Sequence, residues 1–296
     1  MSLRTGMYHL LKIERDSPFG FFLSDGEEDV LLHISEADNR NLKVGEDVEA
    51  FLYNDHKGRI AATLVKPKLV IGEVDFLEVK DFKAAMGFFL ENYISKQVLL
   101  PLSELSEDRK IWPIEGDMLL VKLVYDKQER LLAQLVREES DINSYISKQL
   151  SEREVLELPA SKKIFFEGIV IRHLSMGSHV YLTEYNQIGF LHQTECSKEI
   201  RLGEKVNIRV SYIREDNKIN LSMRPLKEIS MVEDSDRILE VLKERNGAMP
   251  YWDKTPPDII LQKFNLSKAA FKRALGKLMK EGIVYQKDGW THLKNE

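Results

Sequence analysis

The sequence contains one cysteine, Cys196, in 296 residues. No internal disulfide can form and cysteine-rich zinc sites are excluded; a lone thiol of this kind reads as packing rather than redox chemistry. Long apolar runs are missing as well. No stretch approaches the roughly 18 consecutive apolar residues that a membrane helix needs. The amino terminus, Met1-Ser2-Leu3-Arg4-Thr5-Gly6, has no signal-like apolar core behind it. These absences lead to the expectation of a cytoplasmic protein with no membrane partner. Catalytic signatures are also lacking. The seven histidines, at 9, 33, 56, 173, 179, 192 and 292, show no His-Glu-x-x-His spacing. His192 and Cys196 stand four apart without two further ligands. Asp25-Gly26-Glu27-Glu28-Asp29 lacks the ordered spacing of a cation loop and reads as a hairpin turn. No phosphate loop, no nucleophile elbow and no convergent carboxylate cluster for a metal-dependent nuclease is recognisable. The expectation is a chain that is no enzyme and carries neither metal nor cofactor.

What is present describes an ordinary globular protein: 43% hydrophobic and 31% charged residues. The length suffices for two to four small domains, each with its own core. The net charge of -5 is unevenly spread. Residues 1–65 and 66–161 each carry -5, residues 162–227 carry +4 and residues 228–296 carry +1. Phosphate binding depends on local positive charge, so the back half is the better candidate for contact with a nucleic acid backbone.

One pattern occurs three times. It runs Phe19-Gly20-Phe21-Phe22-Leu23, then Leu31-Leu32-His33-Ile34-Ser35-Glu36, then Val44-Gly45-Glu46-Asp47-Val48. It returns as Met86-Gly87-Phe88-Phe89-Leu90, Leu99-Leu100-Pro101-Leu102-Ser103-Glu104 and Glu115-Gly116-Asp117-Met118. The third copy is Met176-Gly177-Ser178-His179-Val180, Phe190-Leu191-His192-Gln193-Thr194-Glu195 and Leu202-Gly203-Glu204-Lys205-Val206. A repeat of this size is one supersecondary module. Alternating strand-like runs precede each copy, the Gly pair permits a bulge or sharp bend, and a long strand, a charged turn and a last strand follow. Five short strands closing on themselves make a small barrel of the OB type. Residues 138–163 interrupt the repeat with apolar residues at helical spacing and read as a helical linker.

From Glu233 the period changes to that of helices. Ile238, Leu239, Val241 and Leu242 mark the first, Pro256-Pro257 opens a second, and Ser267 is placed to cap a third that ends at Gly282. Two short strands, Ile283–Gln286 and Trp290–Leu293, close the chain. Three helices and a hairpin describe a winged helix. The fold expected is thus mostly β with α: three tandem five-stranded barrels at 1–65, 66–137 and 164–227, the linker, and a winged-helix domain at 230–296.

The barrels resemble S1-type RNA-binding domains, whose pattern is Phe-Gly-x-Phe-Val, Gly-Leu-x-His-x-Ser and Gly-Asp-x-Val, then Asp and Arg ahead of an Ile-x-Leu-Ser strand. That resemblance implies stacking of two aromatics on bases, with His and Arg meeting phosphates or base edges. The first copy carries the residues for it in Phe19, Phe22, His33, Asp55 and Arg59. The second departs with Met86, Phe89, Pro101, Asp126 and Arg130; the third with Met176, His179, His192, Arg214 and Lys218. Arg172 joins the candidates of the third barrel. Charge favours the third barrel for affinity, and motif identity favours the first for stacking. The plain alternative is that Phe19 or Phe22 packs its barrel, that His33 merely ends a strand, and that Met86 and Met176 fill cores.

The third helix of the last domain, Ser267–Lys280, carries Lys268, Lys272, Arg273, Lys277 and Lys280 and no acid. Phe271, Leu275, Leu278 and Met279 fall on its other face at about 100° per residue. A packed side and a phosphate-seeking side make a recognition helix; the same pattern also suits a solvated face on a protein-binding winged helix. Three S1-type barrels followed by a winged helix are similar to the conserved virulence factor B family. The resemblance implies a cytoplasmic, RNA-binding regulator of virulence-factor expression. Single-stranded RNA is the expected partner; duplex DNA, or a ribosome or polymerase surface, are the competing ones.

Overall fold

The computed structural model describes residues 3–152, 154–159 and 161–294, with the side chains of 227–233 left aside. The first barrel is built from β1 (Tyr8–Ser17), β2 (Gly20–Ser24), β3 (Asp29–His33), β4 (Asp47–Asn54) and β5 (Ile60–Thr63). The second uses β6 (Val74–Lys83), β7 (Gly87–Leu90), β8 (Val98–Pro101), β9 (Met118–Tyr125) and β10 (Leu131–Leu135). After helix α1 (Glu139–Glu152) the third follows: β11 (Phe166–Leu174), β12 (Gly177–Leu182), β13 (Gln187–His192), β14 (Lys205–Ile213) and β15 (Ile219–Ser222). Each closes in the same order, first-second-third-fifth-fourth, with the third strand parallel to the fifth. Mostly β architecture with three OB-type barrels is what the repeated pattern led us to expect.

The repeat is explained by shared backbone geometry. In every barrel the motif glycine stands opposite the last residue of the third strand: Gly20 opposite His33, Gly87 opposite Pro101, Gly177 opposite His192. A Cβ there would run into the backbone carbonyl of Leu32, Leu100 or Leu191. Gly20 and Gly87 also lie at φ +144° and +140°, which a side chain strains. Each first strand carries a bulge at the same step, between Ile13 and Arg15, Val79 and Asp81, Val170 and Arg172. The extra residue re-aims the strand, so that Arg15, Asp81 and Arg172 oppose Phe22, Phe89 and His179.

The barrels are fused into one unit, residues 1–223. Between the first and second, Tyr125 donates its hydroxyl to the Thr5 carbonyl and Ile71 N–H donates to the Gly6 carbonyl at 2.7 Å. Between the second and third, Met118 N–H donates to Gly203 O and Leu202 N–H to Ile111 O, both at 2.9 Å. Arg201 adds an ion pair to the buried Asp117, Nε to Oδ2 at 3.2 Å. Helix α1 packs within this junction. Ile142 and Tyr145 join Val74, Phe76 and Leu120 of the second barrel and Ile169, Ile171 and Tyr181 of the third in one buried cluster. Burying so much apolar surface makes the linker a structural wedge.

The second unit, residues 224–296, has helices α2 (Lys227–Glu244), α3 (Pro257–Phe264) and α4 (Lys268–Lys280) and a small sheet. Its strands are β16 (Ala248–Met249), β17 (Val284–Lys287) and β18 (Trp290–Leu293), in the order β16-β18-β17. Strand β16 was not expected; two residues are too short for a periodicity signal. The Ser267 hydroxyl caps α4 by accepting from Ala270 N–H, as expected. The core gathers Ile238, Leu242, Ile260, Phe264, Phe271, Leu275 and Leu278. Met279 departs from the expectation. It is 44% exposed, and Ala274 is buried in its stead, because the packed stripe runs through 271, 274, 275 and 278.

Candidate nucleic-acid interface

The sequence candidates of each barrel lie at the start of and along its second strand, at the end of its third and at the turn between its fourth and fifth, except Arg172, which is on the first strand of the third barrel. In the first barrel Phe19 is 67% exposed, so it does not pack the core. Phe22 is half-buried beneath the Arg15 guanidinium, 3.9 Å from the ring centroid. Arg15 is itself paired with Asp29 at 3.3 Å. Arg15 was missed in the sequence because only the bulge turns it onto the Phe22 face. His33 does end its strand, and it does so with its side chain exposed. Its Nδ1 accepts from Ser35 N–H at 3.2 Å and lies 2.7 Å from Ser35 Oγ, capping the turn Ile34–Glu36. A backbone N–H can only donate, so Nδ1 accepts and the neutral ring carries its proton on Nε2. His192 repeats the arrangement on Thr194, at 3.2 and 2.8 Å. The His-x-Ser/Thr spacing is thus a local cap that leaves one donor free for an acceptor outside. Pro101 makes no such cap in the second barrel.

The basic turn residue is held by the acid that precedes it. Arg59 donates from Nε and Nη2 to Asp55 Oδ2 at 2.9 and 2.7 Å. Arg130 meets Asp126 in the same way, at 2.8 and 2.7 Å. Burial would raise the Asp55 carboxyl, but hydrogen bonds from Arg59 and Lys57 outweigh it and hold Asp55 below the usual carboxylate range. The backbone N–H of Arg130 does the most to lower Asp126. Two fixed, solvent-facing guanidinium groups result. In the third barrel Arg214 and Lys218 both lie beside Asp216, at 3.3 and 3.6 Å.

The surroundings of the three faces differ. In the second barrel, Met86, Phe89 and Arg130 line a cleft of about 290 Å³ whose far wall is Tyr53 and Asn54 of the first barrel. Met86 is 47% exposed and Met176 53%, so neither is the core filler that its residue type suggests. Lys83 Nζ stands 4.9 Å from the Phe89 centroid. In the third barrel, His179 and Lys218 line a cleft of about 220 Å³ against Glu139 and Asn143 of α1. Phe190 lies there too. It faces His179 across the β12–β13 ladder with centroids 6.1 Å apart, and His192 is 6.2 Å beyond it. The motif therefore loses its aromatic on the second strand and regains one on the third. Phe190 carries no signal along the chain, because the equivalent positions in the other two copies are Leu31 and Leu99. Burial first, then the Arg172 charge, keeps His179 below its ordinary range. Arg172 opposes His179 and donates from Nη1 to the Arg137 carbonyl at 3.0 Å.

On α4, Lys272, Arg273 and Lys280 are exposed and Lys268 half-buried. Lys277 is half-buried and lies 4.0 Å from Glu281. Among the described residues no group of three His, Cys, Asp or Glu side chains gathers in metal-binding reach, and no helix is long and apolar enough to cross a membrane.

Four family models match the chain in succession: an S1 domain at 5–65, the CvfB first S1-like domain at 74–134, the second domain of virulence regulatory factor CvfB at 159–225 and a CvfB-like winged helix domain at 236–293. The chain is 39% identical to the protein YitL of Bacillus subtilis over 99% of its own length and 95% of the relative's. It is 31% identical to conserved virulence factor B of Staphylococcus saprophyticus, over 88% of this chain and 85% of that one. For the Staphylococcus aureus USA300 protein of the same name the figures are 30%, 91% and 89%. A crystal structure of a multidomain protein with nucleic acid binding domains from Streptococcus pneumoniae superposes with a TM-score of 0.63 at 28% identity, covering 98% of both chains.

Proposed function

Since this chain belongs to the conserved virulence factor B family, we propose that it is a non-enzymatic, cytoplasmic regulator that binds single-stranded RNA and thereby affects expression of virulence genes. The observation that carries the reading is the third barrel's face. Three rings, His179, Phe190 and His192, follow one another on adjacent strands with Arg172 and Lys218 beside them. Rings stack on bases and cations meet phosphates, and only an unpaired strand exposes both together. Phe19, Phe22, His33 and Arg59 on the first barrel and Phe89 and Arg130 on the second supply further contacts of the same kind. Weak sites in series on one fused body gain from effective concentration.

The second reading is duplex DNA binding through α4, favoured by its exposed Lys272 and Arg273 with Lys268 and Lys277 beside them. Gel-shift titration of the full chain against single-stranded RNA, single-stranded DNA and duplex DNA separates the two. The RNA reading expects the tightest binding to the first and a fall in affinity with salt; preference for the duplex would replace it with the second reading.

A further inference from the structure

The strands of the wing alternate strictly. Val284 and Thr291 point into the domain and are buried, and the Thr291 hydroxyl donates to the Tyr251 carbonyl at 2.7 Å. Tyr285, Trp290 and His292 take the other face. Tyr285 opposes His292 across the ladder, with centroids 5.1 Å apart and planes 19° apart. Trp290, two residues before His292 on the same strand, follows at 6.5 Å and 27°. The three rings form a near-parallel cluster, one step across the ladder and one step along β18, with His292 half-buried between the other two. The outer two, Tyr285 and Trp290, are 42% and 44% exposed. Lys287 stands directly opposite Trp290 in the ladder. Cross-strand ring contact steadies the hairpin, but the buried inward residues Val284 and Thr291 already anchor the sheet, and both outer rings stay over two-fifths exposed.

We infer that the wing is a stacking platform for unpaired nucleobases: a base stacks on the exposed ring of Trp290, or on that of Tyr285, while Lys287 meets the adjoining phosphate. This rests on the single-strand reading above and deepens it, moving part of the winged helix's contact from the cationic face of α4 to the sheet. A base stacked on an exposed ring gains contact without any sequence requirement. Duplex DNA offers no free base face except at its ends. The wing therefore favours a single strand, whereas the α4 cations attract any polyanion.

The test uses the full-length chain and a short fluorescein-labelled single-stranded RNA, beside the same strand with abasic riboses in place of the nucleosides. Fluorescence anisotropy gives both affinities. At least one of Trp290→Ala and Tyr285→Ala weakens the intact strand by about fivefold or more, the least expected for one stacked base. Both leave the abasic strand unchanged, and Trp290→Phe retains most of the affinity. The Tyr285 variant leaves Trp290 in place, so the two rings are read independently of any folding defect in one of them. Unchanged binding of the intact strand by both alanine variants, or equal losses on the abasic strand, would overturn the inference while leaving the RNA reading in place. Failure of the wild-type chain to bind either strand at low ionic strength removes the RNA reading itself, and the platform with it.

Discussion

Lys96 of the second barrel donates from Nζ to the backbone carbonyl of Asp55 in the first, at 2.7 Å. Asp55 is the residue that fixes Arg59. One barrel therefore steadies the turn that positions the other's cation, and burial lowers the Lys96 ammonium below the ordinary lysine range as a consequence. Replacing Lys96 by Met removes the bond but keeps the stem. Loss of about 1 kcal/mol in urea unfolding is expected, the usual worth of one hydrogen bond. Unaltered stability would show that the barrels hold together without it.

The acid–arginine pairs titrate with a definite sign. Asp55 and Asp126 have folded values below the ordinary 3.8. Their contribution to stability is complete above that unfolded value and is lost as pH falls through the lower folded value. Unfolding followed from pH 5 to pH 2 should show this acid-side loss in the wild type and a shallower slope in the Asp55→Asn, Asp126→Asn double variant. Parallel slopes would contradict the assignment.

Two glycines should respond oppositely to alanine. At Gly87, with φ +140° and the Leu100 carbonyl in the way, alanine should cost more than about 1 kcal/mol. Gly276 is exposed on α4, at an ordinary helical φ with nothing within 4 Å of an added Cβ. Alanine there should add about 0.5–1 kcal/mol by raising helix propensity. Thermal unfolding of the two single variants checks both signs.

Tyr145 holds the wedge. It makes edge contacts with Phe76 of the second barrel at 5.6 Å and Tyr181 of the third at 5.5 Å. Tyr145→Ala should cost about 3 kcal/mol, the scale of a buried aromatic truncation. A loss well under 1 kcal/mol in denaturant unfolding would mean that the helix is dispensable to the junction. The same cluster bars a simple truncation as a test of which barrel binds. Deleting residues 1–137 removes Val74, Phe76, Leu120 and Val136 and uncovers the apolar residues they pack against.

Phe190 distinguishes the two criteria for the dominant barrel. If rings and charge act together on the third barrel, Phe190→Ala weakens single-stranded RNA by about fivefold or more, on the scale of one stacked base. Phe22→Ala then has the smaller effect. The reverse order in anisotropy titrations would assign dominance to the first barrel.

The pattern along the chain determined the modules. Strand alternation, the recurring glycine and the helical period after Glu233 are local properties, and they already define three barrels and a winged helix. Even Ser267 as a cap was legible, because a cap acts on residues three away. The site was legible only in part. Arg15 reaches Phe22 by way of a bulge, Phe190 meets His179 across a ladder, and Tyr285, Trp290 and His292 align only when two strands pair. These relations depend on register, which no spacing along one strand encodes. Likewise the helical period of residues 142–150 showed an apolar face, but only the closed barrels on either side supplied the surface that buries it. Sequence chose the pieces because local sterics and periodic burial act within a few residues; tertiary structure chose the neighbours because contact between distant residues is decided by packing alone.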